Sequence, residues 1–259
     1  MKIVIMGSAS AAAGKDRDNT YLLLNDGESC TMIDVGGNPL GKLKKLGIPL
    51  SHVRNVVFTH FHIDHIYGFP SLLWGMWIAG RTEPLDVYCA SAYRKQLEDW
   101  LQVLRPDQWP VRFEIRIHDF DWTKPSELFR RERMTVSVFP AIHEVPTVGL
   151  KVEVGERVVV YSADSRLNPV IGQMSKIDLL IHEAAHAERE SPVHSTLTGI
   201  ISYYQMAAIE KIVIVHWADD EPYERILNSV DPALCGKISM GQDMMVIHLA
   251  DNQTDSSCS

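Results

Sequence analysis

Short runs of apolar and β-branched residues, most of them closed by Gly, Asp, Asn or Pro, recur along the chain and read as strands. They fall at residues 2–6, 20–24, 30–34, 55–58, 85–89 and 113–117 in the first half. In the second half they fall at 134–139, 149–154, 157–162, 178–182, 211–216 and 244–249. Two stretches have a different period. Residues 91–104 place Leu97, Trp100, Leu101 and Leu104 close to a 3.6-residue repeat, and residues 195–208 place Leu197, Ile200, Ile201 and Tyr204 on one face. Strands come in consecutive runs near both ends and alternate with helices between, which predicts a layered α/β fold with more than one sheet. The stretch 105–130, with Pro106, Pro110, Pro125 and several charges, reads as containing loop, and the polar stretch 251–259 as a frayed tail. No repeat and no Pro-, Gly- or Ser-rich linker divides the remainder, so residues 1–250 are expected to form one domain.

Composition narrows the class. The 259 residues carry 25 Lys and Arg against 33 Asp and Glu, a formal charge of −8, and 46% are hydrophobic. No apolar run approaches the roughly 20 residues that a membrane-spanning helix needs. The apolar stretch at the N-terminus is too short for an export signal, so a cytoplasmic protein with no membrane partner is expected. An acidic surface does not draw polyanions, which counts against a dedicated nucleic-acid binder. Cys30, Cys89, Cys235 and Cys258 form no CxxC pair, so neither a disulfide framework nor a thiolate zinc site is expected. The 11 histidines, unevenly placed, are the more telling count.

The sharpest signal is Thr59-His60-Phe61-His62-Ile63-Asp64-His65, directly after the strand predicted at 55–58. Imidazoles and a carboxylate packed this closely are costly to bury unless paired or bound. They are also the donors that Zn²⁺, Mn²⁺ and Fe²⁺ sites use. His60 and His62 can project to one side of an extended segment, with Asp64 and His65 on the following turn facing a second ion. Further candidates sit at or beyond strand ends: His143, Asp164 and His216.

The order His60-x-His62-x-Asp64-His65, then His143, Asp164 and His216, resembles the metallo-β-lactamase superfamily. That resemblance implies a four-layer αβ/βα sandwich with a dinuclear metal site at the joint of two sheets. By position, it implies one ion held by His60, His62 and His143 and a second by Asp64, His65 and His216, with Asp164 bridging. Zinc is the expected metal, with manganese and iron also compatible with these donors. Other segments resemble ribonuclease Z-like proteins: Met6-Gly7-Ser8-Ala9-Ser10, Arg17-Asp18-Asn19, Ile33-Asp34-Val35-Gly36, Gly68-Phe69-Pro70-Ser71-Leu72-Leu73 and Asp178–Ala184. His194-Ser195-Thr196 extends the likeness, which implies that Glu183 and His194 stand beside the metals.

Two departures bear on substrate. Ribonuclease Z proper carries a long arm for gripping tRNA, typically between the third metal histidine and the bridging aspartate. Here only residues 144–163 lie between His143 and Asp164, and they read as two strands with Gly155-Glu156 at the turn. The charge of −8 offers little attraction for a tRNA backbone. Both argue against folded tRNA and for a small molecule or short nucleotide.

The leading expectation is a dinuclear phosphodiesterase that attacks a small phosphodiester or an RNA end with hydroxide held between the ions. Asp64, Glu183 and His194 are the candidates for the chemistry, with His194 serving the leaving oxygen and Glu183 orienting it. Alternatively, His194 caps the helix that starts near Ser195-Thr196. The runner-up function is hydrolysis of a carboxylic bond (lactone, thioester or β-lactam), and a di-iron redox protein stands third. Asp34 is expected to hydrogen-bond a ligating histidine. His182 and His186 read as structural more than direct, and His52, His118 and His248 as structural or surface residues. Trp74 and Trp77 read as core or interface, Trp217 as a pocket wall able to stack on a base, and Lys15 and Arg81 as possible anion contacts. A homodimer is expected.

Overall fold

The structure, a computed structural model, describes residues 1–109, 113–132 and 134–249. The tail expected at 251–259, with Cys258, lies outside the described residues. Strands β1 (Lys2–Gly7), β2 (Tyr21–Asn25), β3 (Cys30–Ile33), β4 (Val53–Val57), β5 (Leu85–Ala90) and β6 (Ile115–Phe120) belong to the first sheet. Strands β7 (Ser126–Arg131), β8 (Met134–Pro140), β9 (Val148–Val154), β10 (Arg157–Tyr161), β11 (Ile177–Glu183), β12 (Ile209–Val215) and β13 (Ile238–Met240) build the second. The last strand, β14 (Met245–His248), returns to the first sheet beside β1. Helices α1 (Pro39–Lys45), α2 (Ile63–Ile66), α3 (Phe69–Ile78) and α4 (Arg94–Leu104) come from the first half. The second half contributes α5 (Pro169–Gly172), α6 (Leu197–Tyr203), α7 (Tyr223–Ser229) and α8 (Pro232–Cys235).

The sheets share one plan. In order β14-β1-β2-β3-β4-β5-β6, the first three pairings are antiparallel and the rest parallel. Read from β7 to β13, the second sheet likewise passes from antiparallel to parallel at β10. Both faces of each sheet are covered, so the central strands read as unbroken apolar runs. Alternation assigns the faces: Ile3 and Ile5 join Ile33, Val57, Val136, Leu150, Ile181 and Val213 in a core between the sheets. Val4 and Met6 point the other way, onto Leu43, Leu72, Met76 and Leu97 of α1, α3 and α4. On the far face of the second sheet, Leu180, Ile212 and Ile214 meet Leu197, Ile200 and Ile226 of α6 and α7. Helix, sheet, sheet, helix is the four-layer α/β sandwich that the motif order implied.

Two strands escaped the sequence pattern, β7 and β13, and the stretch expected to contain loop does so between β6 and β7. Most of β7 is half-exposed and rich in Glu and Arg, being an edge strand whose only ladder partner among the described residues is β8. Strand β13 is a short edge as well. The turn expected at Gly155-Glu156 is present, with Gly155 at φ +57° joining β9 to β10.

Candidate metal centre

The candidate metal ligands, Asp34 and Glu183 lie at or just beyond the C-terminal ends of strands, and His194 lies just before α6. Asp34 follows β3, the 59–65 loop follows β4, His143 follows β8, Asp164 follows β10, Glu183 ends β11 and His216 follows β12. Three of the six non-Gly residues with positive φ among the described residues stand here: Asp34, Ala163 and His216, at φ of +60°, +52° and +52°, a region that disfavours residues other than Gly.

The outward hydrogen bonds of the rings fix which nitrogen faces the centre. Thr59 Oγ1 lies 2.8 Å from Asp34 Oδ2 and donates to it, so His60 Nδ1–H donates to Thr59 Oγ1 at 3.0 Å. His143 Nδ1–H donates to the Val193 carbonyl at 3.0 Å, and His65 Nδ1–H to Asp34 at 2.8 Å. His60, His65 and His143 therefore direct the lone pairs of Nε2 inward. His62 turns its Nδ1 inward instead, with Nε2 3.6 Å from Glu144. The inward nitrogens of His60 and His143 are 3.1 and 3.3 Å from His62 Nδ1. Lone pairs aimed at one point repel unless a cation stands among them. Zn–N bonds of about 2.0–2.1 Å put two ligands of a tetrahedral centre about 3.3–3.4 Å apart, so the spacing is that of a coordination sphere.

A second cluster adjoins the first. His65 Nε2 is 3.4 Å from both Asp64 Oδ2 and Asp164 Oδ1. His216 Nε2 is 3.4 Å from Asp64 Oδ2 and 3.3 Å from Asp164 Oδ2. Asp164 belongs to both clusters, its Oδ2 also lying 3.9 Å from His60 Nε2. His65 Nε2 and Asp164 Oδ1 are buried without a hydrogen-bond partner among the described residues. Orphaned polar atoms of this kind are rare in a folded core, and here a cation would satisfy both at once. The donor set, spacing and orphaned atoms together fit two divalent ions.

The charges of the centre act on its members in opposite senses. Burial, then the neighbouring His65, push the His60 pKa well below its ordinary value, leaving the neutral ring that a metal requires. Burial acts on His65 in the same sense, but the carboxylates of Asp164 and Asp34 outweigh it and pull its pKa well above 6.5. Burial would raise the Asp64 carboxyl, yet His216 and His65 hold it well below the usual carboxylate range. Asp164 is likewise held down against burial, by His216 and His65.

Glu183 and His194 stand beside this pair of clusters. Glu183 is fully buried and accepts the backbone N–H groups of Ser165, Ser195 and Ala185 at 3.1, 3.0 and 3.0 Å. Its Oε1 also takes Nδ1–H of His194 at 3.1 Å. Burial lowers the His194 pKa, but the hydrogen bond and charge of Glu183 more than reverse this and raise it to about 9. The His194 ring lies over that of His216, centroids 5.3 Å apart, and 5.2 Å from His143. His194 does not cap the helix; Thr196 does, accepting Gly199 N–H.

Other expectations divide. Asp34 bonds His65 and accepts both the amide and hydroxyl of Thr59. His182 is buried and bonded to Tyr204 Oη, a structural role. His186 pairs with Glu221, exposed His118 with half-buried Asp86, and His52 and His248 are exposed. Arg81 is not an anion contact: it is buried and its three nitrogens donate to the carbonyls of Glu83, Leu50 and Pro84. Trp217 offers no open stacking face on one side, because the Arg17 guanidinium covers it at 3.4 Å. Lys15 is exposed, with its backbone N–H on Asp219. Trp74 and Trp77 pack on each other and on Trp109. Nothing in the sequence gives a role to Thr59, Glu144, Ser165 or Ser195, whose only signal is adjacency to a candidate ligand or, for Ser195, to His194.

Sandwich and centre together define a protein of the metallo-β-lactamase fold. A family model described as Anti-Pycsar protein Apyc1 matches residues 1–230. The chain belongs to that family. It is 20% identical to ribonuclease Z of Methanococcus aeolicus, over 98% of this chain and 99% of the relative. The fold of YhfI from Bacillus subtilis superimposes with a TM-score of 0.79 at 18% identity, covering 95% of this chain and 98% of that one. The short form of human tRNase Z matches with the same TM-score of 0.79 at 19% identity, covering 97% and 100% of the two chains.

Proposed function

We propose that this protein is a dinuclear metal-dependent phosphodiesterase acting on a small phosphodiester, such as a cyclic phosphate, or on a short RNA end. The observation that carries the reading is the pair of buried Glu183 and half-buried His194 standing against a cluster of seven candidate metal-ligand side chains. His60, His62 and His143 would hold one ion, Asp64, His65 and His216 the other, with Asp164 shared. Zinc suits these donors, as do manganese and iron. Two such ions, when bound, would bring a water to neutral-pH acidity and draw charge from the attacked group.

The chain's own residues do the rest. Asp34, Thr59 and the Val193 carbonyl keep the outer ring nitrogens of His65, His60 and His143 protonated, so the inner lone pairs stay available. Glu183, fixed by three backbone N–H groups, keeps His194 protonated, so that Nε2–H can donate to the leaving oxygen. Asp64 adds negative charge where His65 and His216 converge, and would help hold the second ion there. The hairpin of β9 and β10 fills the interval between His143 and Asp164, and with the charge of −8 this favours a small substrate over folded tRNA. The reading treats residues 1–250 as one catalytic domain working as a homodimer.

A substrate panel tests the proposal. The metal-loaded protein should hydrolyse bis-p-nitrophenyl phosphate and cyclic nucleotides, and His194→Ala should lose turnover at full metal content. Turnover confined to a lactone, thioester or chromogenic β-lactam would overturn it in favour of carboxylic-bond hydrolysis. Rapid processing of a pre-tRNA would overturn the small-substrate reading.

A further inference from the structure

Four of the five histidines in the two clusters have their outer nitrogen opposite an acceptor: Thr59 for His60, Glu144 for His62, Asp34 for His65 and the Val193 carbonyl for His143. The fifth does not. His216 Nδ1 is buried with no hydrogen-bond partner among the described residues. Its backbone is nevertheless held at φ +52°, a conformation that a β-substituted residue keeps only when its surroundings impose it.

The surroundings that impose it come from one segment near the N-terminus. His216 N–H donates to Thr20 Oγ1 at 2.9 Å, and the Thr20 hydroxyl in turn donates to the Ala9 carbonyl at 2.9 Å. Trp217 N–H donates to the Ser8 carbonyl at 3.3 Å. Arg17 Nη2 donates to the Trp217 carbonyl at 3.0 Å, the guanidinium lies flat on the indole, and the same group pairs with Asp219. The segment is itself closed by Ser8 and Ala9 N–H groups on the Asp18 carbonyl, at 3.1 and 2.9 Å.

We infer that the 8–20 segment positions His216 through its backbone, and that Thr20 and Arg17 are positioning residues for the second metal position. This rests on the dinuclear reading above. The segment does for His216 what outer-nitrogen acceptors do for the other four ligands. Ring stacking against His65 and His194 completes the restraint, with centroids 5.7 and 5.3 Å away. Loosening the segment should therefore release one ion and spare the other, because His60, His62 and His143 make none of these contacts.

The test is a zinc titration of the metal-free protein against a chromophoric chelator, repeated with Co²⁺ so that each site is seen by its absorption. Wild-type protein should take up two ions per chain. Thr20→Val keeps the shape of the side chain and removes the acceptor; it should weaken one binding step by about 10–100-fold, the usual effect of losing an outer partner, and leave the other unchanged. Thr20→Ser should restore wild-type behaviour. Arg17→Gln, which removes the stack and the bond to Trp217, should weaken the same step and serves if Thr20→Val does not fold. Equal weakening of both steps, no weakening, or failure of Ser to rescue would overturn the inference while leaving the dinuclear reading intact. A wild-type protein that binds one ion would overturn both.

Discussion

Asp34→Asn isolates the electrostatics of the centre. Asp34 is fully buried, with φ +60°, a conformation that Asn tolerates, so the substitution leaves backbone and volume in place. The amide oxygen can keep the bond to Thr59 N–H, now 2.8 Å. The amide nitrogen then faces His65 Nδ1, where the carboxylate now accepts at 2.8 Å. Two donors cannot share that contact. His65 must move its proton to Nε2, the nitrogen aimed at Asp64 and Asp164, and a protonated nitrogen cannot bind a metal. A hydrogen bond to a charged group is worth about 1.5–3 kcal/mol. At about 1.4 kcal/mol per factor of ten, that corresponds to roughly 10–100-fold in affinity for the ion at His65. The same Asp34 oxygen accepts the Thr59 hydroxyl that orients His60, so the ion held by His60, His62 and His143 should weaken as well. Zinc titration against a chromophoric chelator resolves the two steps. If Asp34→Asn binds both ions like the wild type, the tautomer argument is wrong.

Three further outcomes are expected. In Glu183→Gln the groups that raise the His194 pKa to about 9 are weakened, so that pKa falls and the alkaline limb of the kcat/KM profile should move to lower pH; an unmoved limb would remove His194 from proton transfer. Asp178 sits below its ordinary pKa because the Val158 N–H and Arg157 outweigh burial, so its stabilisation is present above the unfolded value of about 3.9 and is lost as pH falls through the folded pKa. Urea denaturation of Asp178→Asn should show a loss of about 1–3 kcal/mol at neutral pH that shrinks in acid. Gly36→Ala would bring a Cβ within 2.2 Å of the Asp64 carbonyl oxygen, a backbone atom that cannot swing away, so metal affinity and turnover should both drop; ordinary activity would show that the Asp64 turn is free to shift.

What was legible in the sequence follows from which features are local. The 59–65 loop announces itself because ligands at alternate positions need only the strand before them, and β4 ends at Val57. His143, Asp164 and His216 could be ordered by resemblance, but only parallel pairing of β10, β11 and β12 explains how Asp164, Glu183 and His216 reach one place. Strand β7 was hidden because an edge strand with exposed Glu and Arg lacks the apolar run that marks its neighbours. The anion-contact reading of Arg81 fails because nothing in the sequence shows that three carbonyls converge on it, and the Arg17 contact that covers one face of Trp217 is hidden in the same way. Thr20 is more hidden still. Its acceptor meets His216 across 196 positions of chain, a contact that only the packing of the two sheets creates.

The central claim is that two ions, held by His60, His62, Asp64, His65, His143, Asp164 and His216, serve phosphodiester hydrolysis. Initial rates on bis-p-nitrophenyl phosphate, followed while zinc is added to the metal-free protein, test it most directly. Activity should rise to a plateau at two equivalents per chain. A plateau at one equivalent, or a fully loaded protein that leaves the phosphodiester intact, would contradict it.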